Sequence, residues 1–200
     1  PGAVDLAYIL LGTEHVEQAV ADCAARRVPV ACILADGFAE AGPAGAALQA
    51  RLVAIAREGG MRLLGPNSMG IINLPAHVAC SVNAALEADD LPGGRWSVVS
   101  QSGSIMGTLL SRAAARGFGF AKVFGTGNEA DLSAGEIAGM LVDDPETDAI
   151  LLFLETIRRP ELYEEAARRA HAAGKPIIAY KLGRSEAGAA LATTHTGALA

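Results

Sequence analysis

The sequence predicts an α/β protein with two parallel-sheet units. Short apolar runs, of the kind that form buried parallel strands, alternate with segments of helical period along most of the 200 residues. Turn pairs and glycines separate the runs from the helices, and several of the loops are rich in Ser, Gly or Asn. Because strand–helix–strand repeats wind into parallel sheets, we expect half of a doubly wound domain followed by a second α/β unit.

The first predicted unit has the order β-α-β-α-β. Thr13 is suited to cap its first helix, Pro43 to open its second helix, and Gly59-Gly60 to end that helix. The Gly-rich phosphate loop that usually opens a doubly wound domain is missing, so we expect the chain to begin in the middle of its domain. The predicted strands cover residues 4–11, 30–35 and 62–64, and the predicted helices cover residues 14–27 and 43–58.

The second unit is predicted to follow an irregular connection. Residues 74–93 show no sustained period and contain two prolines and a glycine, which is typical of a linker between domains. We therefore divide the chain into domains 1–73 and 94–200, and we expect the second sheet to be parallel. Ser133 and Glu136 have the spacing of a capping box. The predicted strands cover residues 96–99, 120–124, 149–154 and 177–181, and the predicted helices cover residues 105–116, 133–143, 160–173 and 183–191.

Charge and composition argue against several classes of protein. The formal net charge is −6 and no basic run is present, which argues against a nucleic-acid partner. The apolar runs, of roughly 5–8 residues, are too short to span a bilayer, and no signal segment opens the chain. The cysteines are odd in number and lack metal spacing, which indicates free thiols in a reducing cytoplasm and no metal site. The chain does not begin with Met, so we expect a fragment or a processed chain, and a homo-oligomer stays open.

Loops at the carboxyl ends of the second unit's strands hold the candidate site, because such loops form the ligand crevice of open α/β sheets. The loop Ser100-Gln101-Ser102-Gly103-Ser104 offers hydroxyls and free amide donors at a helix start, which suits a phosphoryl group. The alternative is a plain Ser N-cap, which is common in any strand-to-helix turn. A second loop, Gly125-Thr126-Gly127-Asn128-Glu129, follows the next strand.

A histidine near the end of the sequence is the candidate reactive group. His195 stands between threonines and next to Gly197, although a lone histidine is more often a solvated or hydrogen-bonded bystander. Glu155 follows a buried strand and could fix the imidazole tautomer, unless it merely pairs with Arg158. A histidine held in this way can carry a phosphoryl group, or it can be a general base in a hydrolase. The sequence has no Gly-x-Ser-x-Gly elbow to supply a nucleophilic serine.

The sequence also resembles a known family. The segments that carry the resemblance run in family order across nearly all of the chain: GFAEAG, RLLGPNSMGIIN, SQSGS, ARGFGFAKVFGTGNEADL, DDPETDAILLFLE, KPIIAYKLGRSEAG and THTGALA. Together they are similar to the nucleoside-diphosphate-forming acyl-CoA synthetases. This family includes the α subunit of succinyl-CoA synthetase and the ADP-forming acetyl-CoA synthetases.

The resemblance implies a fold and an activity. Residues 1–73 would be the C-terminal half of a Rossmann-like CoA-binding domain, and residues 94–200 a flavodoxin-like ligase domain. The enzyme would be an acid-thiol ligase that interconverts acyl-CoA, ADP and phosphate with a carboxylate, CoA and ATP, through an acyl phosphate and a phosphohistidine. The family needs an ATP-grasp domain or subunit to bind ATP or ADP with Mg²⁺. That module is missing here, so this piece alone should not complete the reaction.

The resemblance also implies residue roles. His195 would be the phosphorylated histidine, and Glu155 the carboxylate that orients it. The other implied contacts are with phosphate (Ser100, Ser102, Gly103 and Ser104), with CoA (Leu34, Ala35 and Asp36) and with the substrate (Asn67, Gly125, Gly127 and Asn128).

Departures from the family pattern bear on the substrate. Family members commonly have Cys where Ser68 stands, and succinyl-CoA synthetases have Pro and Tyr where Met69 and Gly107 stand. The acetyl-CoA or broader acyl-CoA branch therefore fits better than succinate. The alternative is a non-catalytic CoA-binding or sensing region of a protein acetyltransferase fusion, although such regions often lack the histidine. A flavodoxin-like flavin protein is a weak third option, because no feature demands flavin.

Overall fold

A computed structural model describes residues 2–88 and 91–183. Within these residues the chain forms two sheets and five α-helices. The strands are β1 (Ala7–Ile9), β2 (Val30–Ile33), β3 (Arg62–Leu64), β4 (Gly70–Asn73), β5 (Val78–Cys80), β6 (Gly93–Ser100), β7 (Phe120–Gly125), β8 (Ala149–Leu154) and β9 (Ile177–Lys181). The helices are α1 (Thr13–Ala25), α2 (Pro43–Glu58), α3 (Gly103–Ala114), α4 (Ala134–Asp143) and α5 (Pro160–Ala172).

The first sheet is parallel and has the order β1-β2-β3. Its connections are α1 and α2, which bury one apolar stripe each. Val16 and Val20 of α1 and Leu52 of α2 lie in one buried cluster with Ile33 and Leu63 of the strands. Because each helix presents apolar residues three or four positions apart, this β-α-β-α-β half closes its own small core, as the sequence predicts.

The second sheet is mixed rather than wholly parallel. Its order is β5-β4-β7-β6-β8-β9, in which β6 to β9 are parallel while β4 runs antiparallel to both β5 and β7. The predicted α/β fold class is confirmed, but the expectation of a purely parallel second sheet is wrong. The edge hairpin β4-β5 escaped prediction because its pairing with β7, rather than a local periodic pattern, holds it in the sheet. The segment 74–93, predicted as irregular, therefore contains β5 and a 3-10 turn at Ala84–Glu87.

Helices cover both faces of the second sheet. Val98 and Val99 are neighbours on β6 and point to opposite faces, as successive strand residues must. Val98 lies in a cluster with Met106 and Leu110 of α3. Val99 lies in the cluster that contains the buried residues of α4 and α5. The parallel strands thus place all their carboxyl ends at one edge, between the two helical layers.

The two units share part of their core. Cys32 and Leu64 of the first sheet belong to the same buried cluster as α4 and α5. On the surface beside it, the Arg62 guanidinium donates to Asp131 Oδ2 at 2.7 Å and to Glu136 Oε1 at 3.0 Å. The Leu132 N–H also donates to the Leu63 carbonyl at 3.0 Å, which continues pairing past the edge of β3.

The caps predicted for the starts of two helices have different outcomes. The capping box of α4 is confirmed: Ser133 Oγ accepts from the Glu136 N–H at 3.2 Å, and Glu136 Oε2 accepts from the Ser133 N–H at 3.2 Å. The expected Thr13 cap is wrong, because Gly12 is the N-cap of α1. The Thr13 hydroxyl donates instead to the Asp36 carbonyl at 2.7 Å. Among residues 2–88 and 91–183, the helices are all too short or too polar to cross a membrane.

Candidate functional site

Three loops meet at the carboxyl ends of β6, β7 and β8. The sheet register aligns Ser100 with Gly125 on one side and with Phe153 on the other. The pairing continues into the loops, because the Thr126 N–H donates to the Ser100 carbonyl at 2.9 Å. The structure thus brings together the serine loop, the Gly125 loop and Glu155. His195, the fourth member of the predicted site, lies outside the described residues.

The serine loop presents a helix start whose N-cap side chain does not cap it. Ser102 is the N-cap of α3, and its hydroxyl lies 3.1 Å from Ser104 Oγ but accepts no backbone N–H of the first turn. This arrangement does not match the alternative of a plain serine cap. Ser100 is buried, and its hydroxyl donates to the Ser102 carbonyl at 2.7 Å and accepts from the Ser102 N–H at 3.2 Å. Ser100 therefore shapes the loop, while Ser102 and Ser104 remain at the helix start.

Glu155 lies at the end of β8 and is only 2% exposed. It borders a cavity of about 570 Å³ together with Ser102 and Ser104. The rest of the lining is largely apolar and comes from α3 and the strands β6, β8 and β9. Nearby, Lys181 Nζ donates to the Glu155 carbonyl at 2.7 Å, and Arg158 Nη1 donates to the Asn128 carbonyl at 3.2 Å. The cavity thus has one polar end, which the serine loop and this carboxylate form.

Two buried polar residues complete the site and were not predicted from the sequence. Gln101 accepts hydrogen bonds from the Glu155 and Thr156 N–H groups. Glu129 accepts from Thr126 Oγ1 at 3.1 Å and from the Ala134 N–H at 2.8 Å. Burial raises the pKa of Glu129 above 4.5, against opposing contributions from its hydrogen-bond partners and a nearby arginine. A glutamine and a glutamate inside the quoted loops were the only available signals.

The Gly125 loop packs against the loop that follows β3. The Asn128 N–H donates to the Pro66 carbonyl at 2.9 Å, and Asn67 Nδ2 donates to Asn128 Oδ1 at 3.4 Å. Gly127 has φ +56°, and a Cβ there would lie 2.3 Å from the carbonyl oxygens of Pro66 and Asn67. Asn128 Nδ2 donates to the carboxylate of Glu40, which precedes α2, and at 3.0 Å to Gln49 Oε1 on α2. The four predicted substrate residues, Asn67, Gly125, Gly127 and Asn128, therefore lie at the contact between the two units.

The predicted CoA-binding residues lie at the carboxyl end of β2, on the first sheet. The Ala35 carbonyl accepts from the Asn67 N–H at 2.8 Å, so this loop is connected to the contact between the units. The Leu34 N–H donates to the Ile9 carbonyl at 3.3 Å, and the Asp36 side chain is exposed. These residues are connected to the second unit by Asn67, which bonds both Ala35 and Asn128, and not by the serine loop.

The positions that depart from the family pattern are tightly packed. Ser68 is buried, donates to the Gly125 carbonyl at 2.5 Å and accepts from the Gly70 N–H at 2.9 Å. A Cβ at Gly107 would lie 2.5 Å from Asn83 Oδ1, so the Asn83 side chain occupies the space above this glycine. A larger residue at this point of α3 requires Asn83 to move.

The architecture defines the class: a parallel α/β unit of Rossmann-like topology followed by a flavodoxin-like α/β unit. Comparison with known families agrees with it. Residues 1–73 match the model described as CoA binding domain, and residues 93–200 match the model described as succinyl-CoA ligase like flavodoxin domain. The chain belongs to the succinyl-CoA ligase like flavodoxin domain family, as the resemblance of its sequence predicted.

The relatives are named as a CoA ligase and a CoA synthase. The chain is 36% identical over 200 residues to the α subunit of acetate–CoA ligase [ADP-forming] I from Pyrococcus furiosus, covering 100% of this chain and 42% of that protein. It is also 36% identical over 201 residues to a trans-feruloyl-CoA synthase from an unknown prokaryotic organism, covering 100% of this chain and 28% of that protein. The chain thus spans less than half of the length of these relatives.

A solved structure has the same fold. The dinucleotide forming acetyl-coenzyme A synthetase 1 of Candidatus Korarchaeum cryptofilum, in complex with phosphate and ADP, superimposes with a TM-score of 0.91 at 33% identity. The match covers 100% of this chain and 42% of that chain.

Proposed function

We propose that this chain is the CoA-binding and ligase portion of an ADP-forming acyl-CoA synthetase, an acid-thiol ligase. The observation that carries the proposal is the meeting of the serine loop and Glu155 at the polar end of one cavity. Similarity to relatives named as ADP-forming acetate–CoA ligases over the whole chain supports it. The alternative of a non-catalytic acetyltransferase-fused region has no support from these relatives.

In the direction of ATP formation, the proposed reaction has three steps. Phosphate attacks the acyl carbonyl of acyl-CoA, the C–S bond breaks, and CoA leaves as the thiol. A ring nitrogen of His195 then takes the phosphoryl group from the acyl phosphate, and the carboxylate leaves. Finally a terminal phosphate oxygen of ADP takes the phosphoryl group, which gives ATP and restores the imidazole. Such transfers depend mainly on position and electrostatic stabilisation.

The proposed roles at the phosphate end follow from the geometry of the loop. The Ser102 and Ser104 hydroxyls, with the Gly103 N–H and its neighbours in the first turn of α3, hold the phosphoryl group. Ser100 acts on them through the loop that its hydroxyl closes. The Glu155 carboxylate accepts the N–H of the His195 imidazole and so fixes which nitrogen reacts.

The remaining ligands are assigned to the first sheet and to the contact between the units. Leu34, Ala35 and Asp36 contact CoA. Residues from the contact between the units, Asn67, Gly125, Gly127 and Asn128, form the wall beside the acyl phosphate. The acyl group stays open, because one relative is named for acetate and another for a feruloyl substrate.

Nucleotide and Mg²⁺ are assigned to a partner. Residues 2–88 and 91–183 contain no group of three or more His, Cys, Asp or Glu side chains that could hold a metal ion. We place ATP or ADP and Mg²⁺ on an ATP-grasp domain or subunit, because the resemblance to the nucleoside-diphosphate-forming acyl-CoA synthetases implies such a module. The relatives agree with a division of this kind, because one is an α subunit and others are much longer than this chain.

The test is phosphorylation of the histidine. In the full-length protein with its ATP-grasp module, Mg-ATP should label His195, and the label should be labile to acid and stable to base. His195→Ala should abolish both the label and acyl-CoA formation. His171→Ala, at an exposed position in the last turn of α5, is the matched control and should keep both. Label or near-normal acyl-CoA formation in His195→Ala would show that the proposed carrier is wrong.

A further inference from the structure

Gln101 holds the backbone that carries Glu155. Gln101 Oε1 accepts from the Glu155 N–H at 2.6 Å and from the Thr156 N–H at 2.9 Å, while Gln101 Nε2 donates to the Thr156 carbonyl at 3.0 Å. The Gln101 N–H also donates to the Phe153 carbonyl at 3.1 Å. The side-chain amide thus does for residues 155–156 what a neighbouring strand does inside the sheet.

Gln101 and the cavity beside Glu155 lie on opposite sides of the sheet. The Gln101 N–H continues the pairing of β6 with β8, and Gln101 interacts with Glu129, which accepts from the Ala134 N–H of α4. The Gln101 side chain therefore lies on the side of the sheet that faces α4 and α5. Glu155 borders the cavity on the opposite side, next to α3. Gln101 therefore contacts the Glu155 main chain from the side that faces α4 and α5. The carboxylate is in contact with other groups on the side of the cavity.

A second buried group, the Glu129 carboxylate, lies beside the Gln101 amide. Gln101 is only 5% exposed, and it interacts with the Glu129 carboxylate as well as with Thr156. Because a peptide N–H donates hydrogen bonds and a carbonyl accepts them, the Gln101 amide oxygen faces the Glu155 and Thr156 N–H groups and its nitrogen faces the Thr156 carbonyl. Within the described residues, Arg158 and Tyr163 also interact with Glu129.

We infer that Gln101 is a positioning residue of the proposed active site, and that it sets the pose of the Glu155 carboxylate by clamping residues 155–156 from the face opposite the cavity. The inference rests on the proposed function for its consequence in phosphoryl transfer. The clamp itself is a property of the fold. Gln101 is not among the residues that line the cavity, so we expect its effect on turnover to pass through the main chain that it holds at Glu155.

Gln101→Met tests the clamp in the full-length protein, because Met has a similar size but cannot make these hydrogen bonds. Ser97→Ala is the matched control. Ser97 is fully buried in the middle of β6, four residues before Gln101, and its hydroxyl lies 2.7 Å from Thr147 Oγ1. Both variants lose buried side-chain hydrogen bonds, one within β6 and the others directly after it, but only Gln101→Met loses them beside Glu155.

The first readout is amide hydrogen exchange, which does not require activity. The Glu155 and Thr156 amides should exchange at least about tenfold faster in Gln101→Met than in wild type, because local opening no longer has to break the clamp. Ser97→Ala should leave these two amides unchanged. Unchanged exchange in Gln101→Met would overturn the clamp, whether or not the proposed function holds.

The second readout is a double-mutant cycle on the rate of His195 phosphorylation. Gln101→Met should slow this rate about tenfold to a hundredfold, as loss of orienting partners does around metal ligands, and leave the KM for CoA unchanged. In the Glu155→Gln background the same change should alter the rate less than about twofold, since residues that act through one another are not additive. An equal loss in both backgrounds would overturn the positioning role. A wild-type protein that takes no label would overturn the proposed function, and exchange would then decide the clamp alone.

Discussion

At the scale of single residues, the site separates groups that face the cavity from groups that shape the loops. Ser104 is exposed at the start of α3, whereas Ser100 is buried and uses its hydroxyl within the loop. Glu155 combines both situations, because its side chain borders the cavity while its main chain is held on both sides by Gln101 and Lys181. Ser100, predicted as one of several phosphate ligands, therefore also has a structural role in the loop.

Glu155→Gln tests the assignment of the carboxylate. Gln keeps the size of Glu but replaces the charged acceptor with a weaker one, so the imidazole tautomer is less strongly fixed. We expect the rate of His195 phosphorylation in the full-length protein to fall about tenfold to a thousandfold, as when single electrostatic groups are removed from other active sites. Single-turnover labelling with Mg-ATP measures this rate.

The comparison for Glu155→Gln is Ser104→Ala. Ser104 is exposed, and backbone N–H groups of the helix start remain when its hydroxyl is removed. Ser104→Ala should therefore slow labelling less than Glu155→Gln does. If Glu155→Gln labelled as fast as Ser104→Ala, the carboxylate would not orient the histidine.

The sequence predicts a site residue when neighbouring residues carry the signal, and it misses one whose hydrogen-bond partners lie far along the chain. Glu155 was predicted because it directly follows an apolar run, which is a local signal. Gln101 and Glu129 were not predicted, because Gln101 bonds main-chain groups 54 and 55 residues away and the two residues interact across two different loops. Their burial is a result of the fold and cannot be deduced from the neighbouring residues of either one.

At the scale of elements, prediction succeeded where a strand or a helix carries its own signal. The strands β3, β8 and β9 have their predicted bounds, and α2 begins at Pro43 and ends at Glu58 as predicted. The hairpin β4-β5 was missed because tertiary pairing with β7, rather than local periodicity, holds it. Thr13 has the right type for a cap, but the Asp36 carbonyl, 23 residues away, takes its hydroxyl.

The start of α4 combines a capping box with ion pairs between the units. Burial alone would raise the pKa of Glu136, but hydrogen bonds from Arg62, the Ser133 N–H and Arg159 outweigh it and lower the pKa below 4.5. A carboxyl group whose pKa is lowered on folding contributes stability above its unfolded pKa. This stability is lost as the pH falls through the folded value. Glu136 should therefore make the protein more sensitive to acid.

Glu136→Gln tests this contribution. Gln at the same position can still complete the capping box, so the variant removes mainly the charge that Arg62 and Arg159 share. We expect a loss of about 1–2 kcal/mol in the free energy of unfolding at pH 7, and a smaller difference from wild type as the pH falls below 4.5. Urea denaturation at several pH values measures both.

The matched control is Glu161→Gln, an exposed carboxylate in the first turn of α5. It should stay within about 0.5 kcal/mol of wild type at each pH, because surface substitutions away from buried networks have small effects. A Glu136→Gln difference that did not change with pH would contradict the ion-pair explanation and leave only a packing effect.

At the scale of the whole molecule, the two units are joined by backbone as well as by side chains. The loop after β3 and the loop after β7 exchange main-chain hydrogen bonds: the Asn128 N–H donates to the Pro66 carbonyl at 2.9 Å, and the Ala130 N–H donates to the Gly65 carbonyl at 3.0 Å. The shared buried cluster and the Arg62 ion pairs lie beside them. The proposed CoA and acyl-phosphate residues therefore have fixed relative positions only while this contact is intact.

Gly127→Ala tests the contact, and Gly174→Ala is its control. Both glycines have left-handed φ angles, +56° and +68°, so alanine at either position should cost about 1–2 kcal/mol of backbone strain. A Cβ at Gly174 has no atom within 4 Å, whereas a Cβ at Gly127 lies 2.3 Å from the carbonyl oxygens of the loop after β3. That backbone cannot yield without separating the units, so Gly127→Ala should lose about 1–3 kcal/mol more than Gly174→Ala in chemical denaturation. Equal losses in the two variants would mean that the loops separate at little cost, and that the contact does not hold the two halves of the proposed site together.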